Sequence, residues 1–185
     1  PRDDPALEEQ VQEFLGRMQE AGLVSDGVLA SSGAQREALW RLRHSMSEAQ
    51  KQEGASIKHD ISVPVASMQR FLELATHAAG QLVPGVRVVA FGHLGDGNAH
   101  FNLTQPAGAD GVAFLARWEE ISRQVHELAI GLGGSFSAEH GIGALKVREL
   151  AHWRGGVPLE VMRAVKMALD PLGIMNPGKL FPAGS

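Results

Sequence analysis

The sequence has 185 residues, 44% of them hydrophobic and 21% charged, with a net charge of -4, a pI near 6.1 and no cysteine. That is enough apolar content for one sizeable core, while mild acidity without a basic stripe argues against nucleic acid or an anionic membrane surface as partners. The lack of cysteine excludes disulfides, thiolate metal sites and cysteine nucleophiles, fits a reducing, cytoplasmic compartment, and leaves His, Asp and Glu as the available metal ligands.

No apolar run approaches the ~20 residues needed to cross a bilayer. The start, Pro1-Arg2-Asp3-Asp4, carries no targeting signal and no initiating Met, so the chain reads as beginning partway through a longer protein. Asp4 is placed to cap a helix with Pro5 at its first position, Leu7, Val11, Phe14, Leu15 and Met18 at helical spacing, and Gly22 as the stop. Leu23-Val24 and Gly27-Val28-Leu29-Ala30 read as a short strand region. Ser31 or Ser32 then caps a second helix that turns Leu39, Leu42 and Met46 inward, with Arg43 beside that stripe. From Ser56 the pattern gives strand 57–63, helix 64–79, strand 86–93, strand 100–104, helix 112–132 and strand 135–137. This is βαββαβ, the ferredoxin-like order. Two further helices, 144–153 and 158–169, precede a tail punctuated by Pro and Gly. The expectation is one α+β domain over residues 1–185, an antiparallel sheet with helices packed on one face and additional terminal helices.

Gly92-His93-Leu94-Gly95-Asp96-Gly97-Asn98-Ala99-His100-Phe101-Asn102 joins two strands through a Gly/Asp/Asn turn and reads as a hairpin with His93 and His100 facing each other. Alternation puts His100 and Asn102 on one face and Phe101 and Leu103 on the other. Two imidazoles on rigid strands and a nearby carboxylate, for which Glu139 is the candidate, make a three-ligand open metal site; the plainer alternative is a turn with two satisfied histidines. In the Gly-framed stretch 133–143, Glu139 and His140 sit on a turn that lets one ligate a metal while the other meets a substrate, and His140 suits a general base. His44, His77, His126 and His152 are set aside as surface-exposed or helical. On Ser56-Ile57-Lys58-His59-Asp60-Ile61, Lys58 and Asp60 share a face; Lys58 with Arg43 forms a receptor for a small carboxylate, or Lys58 and Asp60 are an ordinary surface pair.

Together Gly-His-Leu-Gly-Asp-Gly-Asn-Ala-His-Phe-Asn, Ala-Glu-His-Gly-Ile-Gly, Lys-His-Asp-Ile-Ser-Val-Pro, Leu-Trp-Arg-Leu-Arg and Met-Asn-Pro-Gly-Lys resemble the C-terminal half of the FAD-linked oxidases. These are the D-lactate, glycolate and D-2-hydroxyglutarate dehydrogenases of the vanillyl-alcohol-oxidase superfamily, and the resemblance runs from about Leu39 to Phe181. It implies a separate N-terminal FAD-binding domain whose Gly-rich loop is absent from this sequence. It further implies His93, His100 and Glu139 as ligands of a divalent metal, zinc or manganese, and His140 as the base for the substrate hydroxyl. Arg43, Lys58 and Asn102 fall to the substrate, and Asn176 and Lys179 to the neighbourhood of the flavin. Ala138 stands where a Gly is common, and His44 where a Glu usually follows the Leu-Arg pair.

The implied reaction is oxidation of a 2-hydroxy acid to a 2-oxo acid by FAD, with this chain as the substrate- and metal-binding cap and inactive alone. The resemblance leaves the electron acceptor open. A competing class is a stand-alone two-His, one-carboxylate metal-binding or oxygenase-like module. The third class is a structural or electron-transfer domain whose polar pocket is vestigial.

Overall fold

A computed structural model of the protein describes residues 5–182. The chain divides into two compact units, 1–49 and 50–185.

In the first unit, α1 (Pro5–Glu20) ends where Gly22 takes φ 69° and Leu23 N donates to the Met18 carbonyl. The Asp4 cap lies outside the described residues. α2 (Gly33–Gln52) is opened by Ser32, whose Oγ accepts from Gln35 N, while Gln35 Oε1 accepts from Ser31 N. Ser32 thus caps the helix, and the Gln35 side chain reaches back to the residue before the cap. The expected strand at 23–30 is irregular chain: Asp26 turns the backbone by accepting from Gly27 N, and no strand among the described residues pairs with it. Nor do Leu39 and Leu42 turn inward; both are exposed, as are Leu7, Val11 and Phe14, because two helices alone offer too little surface to bury both stripes.

The second unit is built on β1 (Ser56–Ser62), β2 (Arg87–His93) and β3 (Asn98–Thr104), an antiparallel sheet in the order β1-β3-β2. Ile57, His59 and Ile61 of β1 share a face with Ala99, Phe101 and Leu103 of β3, and all six are buried. Against that face pack α3 (Met68–Leu82), through Met68, Phe71, Ala75 and Ala79, and α5 (Trp118–Gly131), through Ile121, Val125 and Ala129. Phe71 meets Phe101 edge to face with ring centroids 5.6 Å apart. Each large side chain buried here stabilises the fold by about 1.5–3 kcal/mol. The second unit is thus α+β, with α3 and α5 on one side of its sheet.

His59 is the polar member of this apolar layer. Its Nδ1 lies 2.7 Å from the Phe101 carbonyl and its Nε2 3.1 Å from Ser122 Oγ. His126, set aside above as a surface or helical residue, is helical but buried: its ring packs edge-on against His59 and its Nδ1 contacts Glu149.

The expected helix 112–132 is two helices, α4 (Gly111–Ala116) and α5. Asp110 caps α4 by accepting from Val112 N. The break falls at Arg117, with φ -90° and ψ 11°, whose guanidinium donates to the Leu82 carbonyl and to Glu120. The fourth strand is reduced to one antiparallel bridge, Ser62 to Ser135. A Cβ at Gly134 would stand 2.0 Å from the Ser62 carbonyl oxygen, so only glycine lets the backbone approach β1 there. Beyond Ser135 the chain is drawn out of the sheet, its Ala138 N bonding to the Asp60 carbonyl. α6 (Val147–Trp153) and α7 (Val157–Leu169) follow, and Asp170 pins the tail by accepting from Ile174 N and Met175 N.

Candidate active site

Strand alternation places Lys58 and Asp60 of β1, Asn98, His100, Asn102 and Thr104 of β3, and His93 of β2 on the sheet face away from α3 and α5, with the ring of Phe91 among them. At one end Gln50 closes a buried network, its Nε2 donating to Thr104 Oγ1 and its Oε1 accepting from Asn102 Nδ2 at 2.9 Å. At the other end lies Asp60, only 3% exposed. A buried carboxylate is costly unless its oxygens are satisfied. Asn98 Nδ2 donates to Oδ1 at 2.9 Å, and the backbone N–H groups of Glu139 and His140 both donate to Oδ2 at 2.8 Å.

Burial alone pushes the Asp60 carboxyl up, but the N–H groups of His140 and Glu139, the Asn98 amide and the nearby His140 ring together outweigh it and hold the group below the usual carboxylate range. Asp60 is therefore an anion at neutral pH. It also fixes the Glu139-His140 turn onto β1 from 79 residues away in sequence. The turn is held from behind by Lys146, whose Nζ donates to the Phe136 carbonyl and to Ser137 Oγ, and Ser137 Oγ in turn donates to the Gly141 carbonyl. Burial lowers the Lys146 ammonium, opposed by the charges of Asp60 and Glu149.

Around this anchor the titratable groups converge. His100 Nδ1 lies 3.6 Å from Asp60 Oδ1 and its Nε2 3.6 Å from Glu139 Oε2, while His140 Nδ1 lies 3.5 Å from Asp60 Oδ2. The two imidazoles stack with centroids 5.5 Å apart and planes 15° apart. Among the described residues, Asp60, His100 and His140 form the one group of three whose donor atoms all lie within 4.8 Å of one another. Asn98 Oδ1, buried beside them, accepts no hydrogen bond from the described residues. Imidazole nitrogens and carboxylate oxygens are a donor set that suits a divalent ion such as zinc or manganese, and two anions against two titratable rings leave charge for it to neutralise.

The hairpin exists, but the register differs from the expected one. Its turn takes in Leu94–Asp96 and closes with Gly97 at φ 66°, so β3 begins at Asn98 and His100 stands opposite Phe91, with ring centroids 5.2 Å apart. His93 therefore does not face His100. It stands on the same sheet face opposite Asn98, exposed, with Nδ1 3.8 Å from Asp96. Lys58, exposed, pairs in register with Asn102. Asn176, at φ 48°, and Lys179 lie on the exposed tail, tied to the Glu139-His140 loop region where Leu180 N donates to the Gly143 carbonyl. Arg43 lies half-buried on α2 in the first unit, one residue before His44, which stacks on Trp40.

Asp60 is the site residue that sequence reasoning passed over. Its signal was an acid in the middle of an otherwise buried strand, which requires partners.

Residues 1–180 match the family described as FAD linked oxidases, C-terminal domain. The chain belongs to this family. The FAD-linked oxidase domain is 38% identical over 183 residues to a D-2-hydroxyglutarate dehydrogenase of Stutzerimonas stutzeri, an alignment covering 97% of this chain and 39% of that protein. It is 36% identical to the mitochondrial D-2-hydroxyglutarate dehydrogenase of Arabidopsis thaliana, over 97% of this chain and 31% of the relative, and 38% identical to that of Bos taurus, over 91% and 30%. It spans two fifths or less of the length of these curated relatives. Among the described residues, no helix of the domain is long and apolar enough to cross a membrane.

Proposed function

We propose that this domain is the substrate- and metal-binding part of an FAD-dependent 2-hydroxyacid dehydrogenase acting on D-2-hydroxyglutarate, with D-lactate and glycolate as shorter alternatives. Both units belong, in this reading, to one C-terminal portion that meets a flavin-binding domain of the same protein, in the cytoplasm. The observation that carries it is the convergence of His100, His140 and Glu139 around Asp60 at the end of a polar sheet face, in a domain whose relatives bear the name D-2-hydroxyglutarate dehydrogenase. A three-stranded sheet backed by α3 and α5 does not favour the oxygenase-like alternative.

When bound, FAD supplies the hydride acceptor and zinc or manganese the Lewis acid. His93, His100 and Glu139 are the ligands proposed for the ion. The exposed His140 ring, on a turn pinned by two backbone hydrogen bonds, takes the proton of the substrate hydroxyl. Lys58 and Arg43 receive the substrate carboxylate, Asn102 lends a hydrogen bond to the site, and Asn176 with Lys179 lies towards the flavin. The test is His140→Ala in the flavin-bearing protein: turnover falls about a hundredfold or more while zinc binding is retained. An unchanged turnover number removes His140 from the role of base.

A further inference from the structure

Two imidazoles approach one carboxylate from the same side of the sheet. His100 turns Nδ1 towards Asp60 Oδ1 and Nε2 towards Glu139 Oε2, each at 3.6 Å. His140 turns Nδ1 towards the other oxygen, Oδ2, at 3.5 Å. The rings are nearly parallel, so each addresses its own edge of the same carboxylate. Asp60 itself is immobilised by three hydrogen bonds, from Asn98 Nδ2 and from the N–H groups of Glu139 and His140. With those donors already on its oxygens, it is better disposed to accept further N–H groups than to coordinate a cation.

We propose that Asp60 is the positioning residue of this site, accepting from Nδ1–H of His100 through Oδ1 and from Nδ1–H of His140 through Oδ2. Both rings are thereby held in the tautomer that presents Nε2, one to the cation and the other to the substrate hydroxyl. The inference rests on the function proposed above. A histidine that ligates a metal commonly gives its second N–H to a carboxylate, which fixes both tautomer and ring plane, and a catalytic base is oriented in the same way. Here one buried acid serves both. The present N···O distances lie just beyond hydrogen-bond range, and such contacts tighten as a site is loaded. The arrangement also explains why an aspartate stands amid the buried residues of β1: its side chain links the ligand, the base and the turn carrying Glu139 to one rigid strand.

The experiment uses the whole flavin-bearing protein, freed of cation and labelled with 15N-histidine, with His100→Ala and His140→Ala assigning the two signals. Both rings are expected as Nδ1–H tautomers; Nε2–H on either ring in the unsubstituted protein overturns the proposal. In Asp60→Asn the introduced amide places an N–H against His100 Nδ1 and favours Nε2–H. Zinc affinity, measured by chelator competition, should fall about 10–100-fold, with turnover reduced more than KM is changed. Asp60→Asn combined with Asn98→Asp keeps the hydrogen bond between the two positions with donor and acceptor exchanged, so it separates folding from positioning. It should remain folded and still show the weakened zinc binding. Wild-type zinc affinity in either Asp60 variant overturns the proposal. If His100→Ala also binds zinc normally, the metal reading itself fails; if His100→Ala loses zinc while the Asp60 variants keep it, the role given to Asp60 alone fails.

Discussion

Acidification should unfold this protein through a group outside the candidate site. His59 is buried in the helix-covered face of the sheet, and burial, with His126 beside it, pushes its pKa down from 6.5 to about 3, although the Phe101 carbonyl works in the opposite direction. The unfolded chain therefore takes up a proton near pH 6.5 that the folded chain refuses until about pH 3. Stability from this group is complete above the unfolded value and drains as pH falls through that window. At about 1.4 kcal/mol per pH unit, lowering the pH to 4 costs about 3 kcal/mol from His59 alone. That is a large share of the 5–15 kcal/mol typical of a domain. Urea unfolding of the protein and of His59→Gln, each at pH 7 and pH 4, isolates the term, because the variant cannot titrate there while other groups cancel in the comparison. The variant should be less stable at pH 7, having lost a fitted ring, but should lose about 3 kcal/mol less on acidification. Equal losses in the two proteins would refute the reasoning and show that His59 is not held neutral by burial.

Two further outcomes are expected. Gly97→Ala should lower stability by about 2 kcal/mol or more in urea unfolding, since Gly97 has φ 66° and a Cβ there would stand 2.0 Å from the Val63 carbonyl oxygen; near-wild-type stability would mean the hairpin turn can relax. Residues 1–185 on their own should neither retain FAD nor oxidise a 2-hydroxy acid, because none of their side chains can accept a hydride. A purified fragment that is yellow with stoichiometric flavin, or that reduces a dye with D-lactate or glycolate, contradicts this.

The three strands of the sheet were legible because alternation and turn residues are local signals, whereas the expected strands at 23–30 and 135–137, which lack such an alternating run, are irregular chain and a single bridge. Ile57 and Ile61, Phe101 and Leu103 declared a buried face, and the polar partners between them declared the other. The register was not legible, since it depends on whether the hairpin turn ends at Asn98 or later, and that choice moved Phe91 opposite His100 in place of His93. Helix 112–132 had one apolar stripe, but its break depends on Arg117 reaching a carbonyl at the end of α3. Burial of polar groups was the hardest to foresee. Asp60 is made tolerable by partners distant in sequence, Glu139 and His140, and His126 lies against Glu149, which is also remote from it along the chain. The site residues were approached through motifs, so Asp60, which that reading left as a possible surface partner of Lys58, went unassigned although strand parity already set it on the face of His100.

The proposed function requires that this domain present a 2-hydroxy acid to a flavin. It is tested most directly by mixing the whole flavin-bearing protein with D-2-hydroxyglutarate without oxygen and following flavin bleaching, beside a variant carrying both His100→Ala and Glu139→Ala. Rapid bleaching is expected in the first and a loss of at least a hundredfold in the second, in line with losing a metal that activates the hydroxyl. A flavin that D-2-hydroxyglutarate, D-lactate and glycolate all fail to reduce, or one reduced equally fast in the variant, would contradict it.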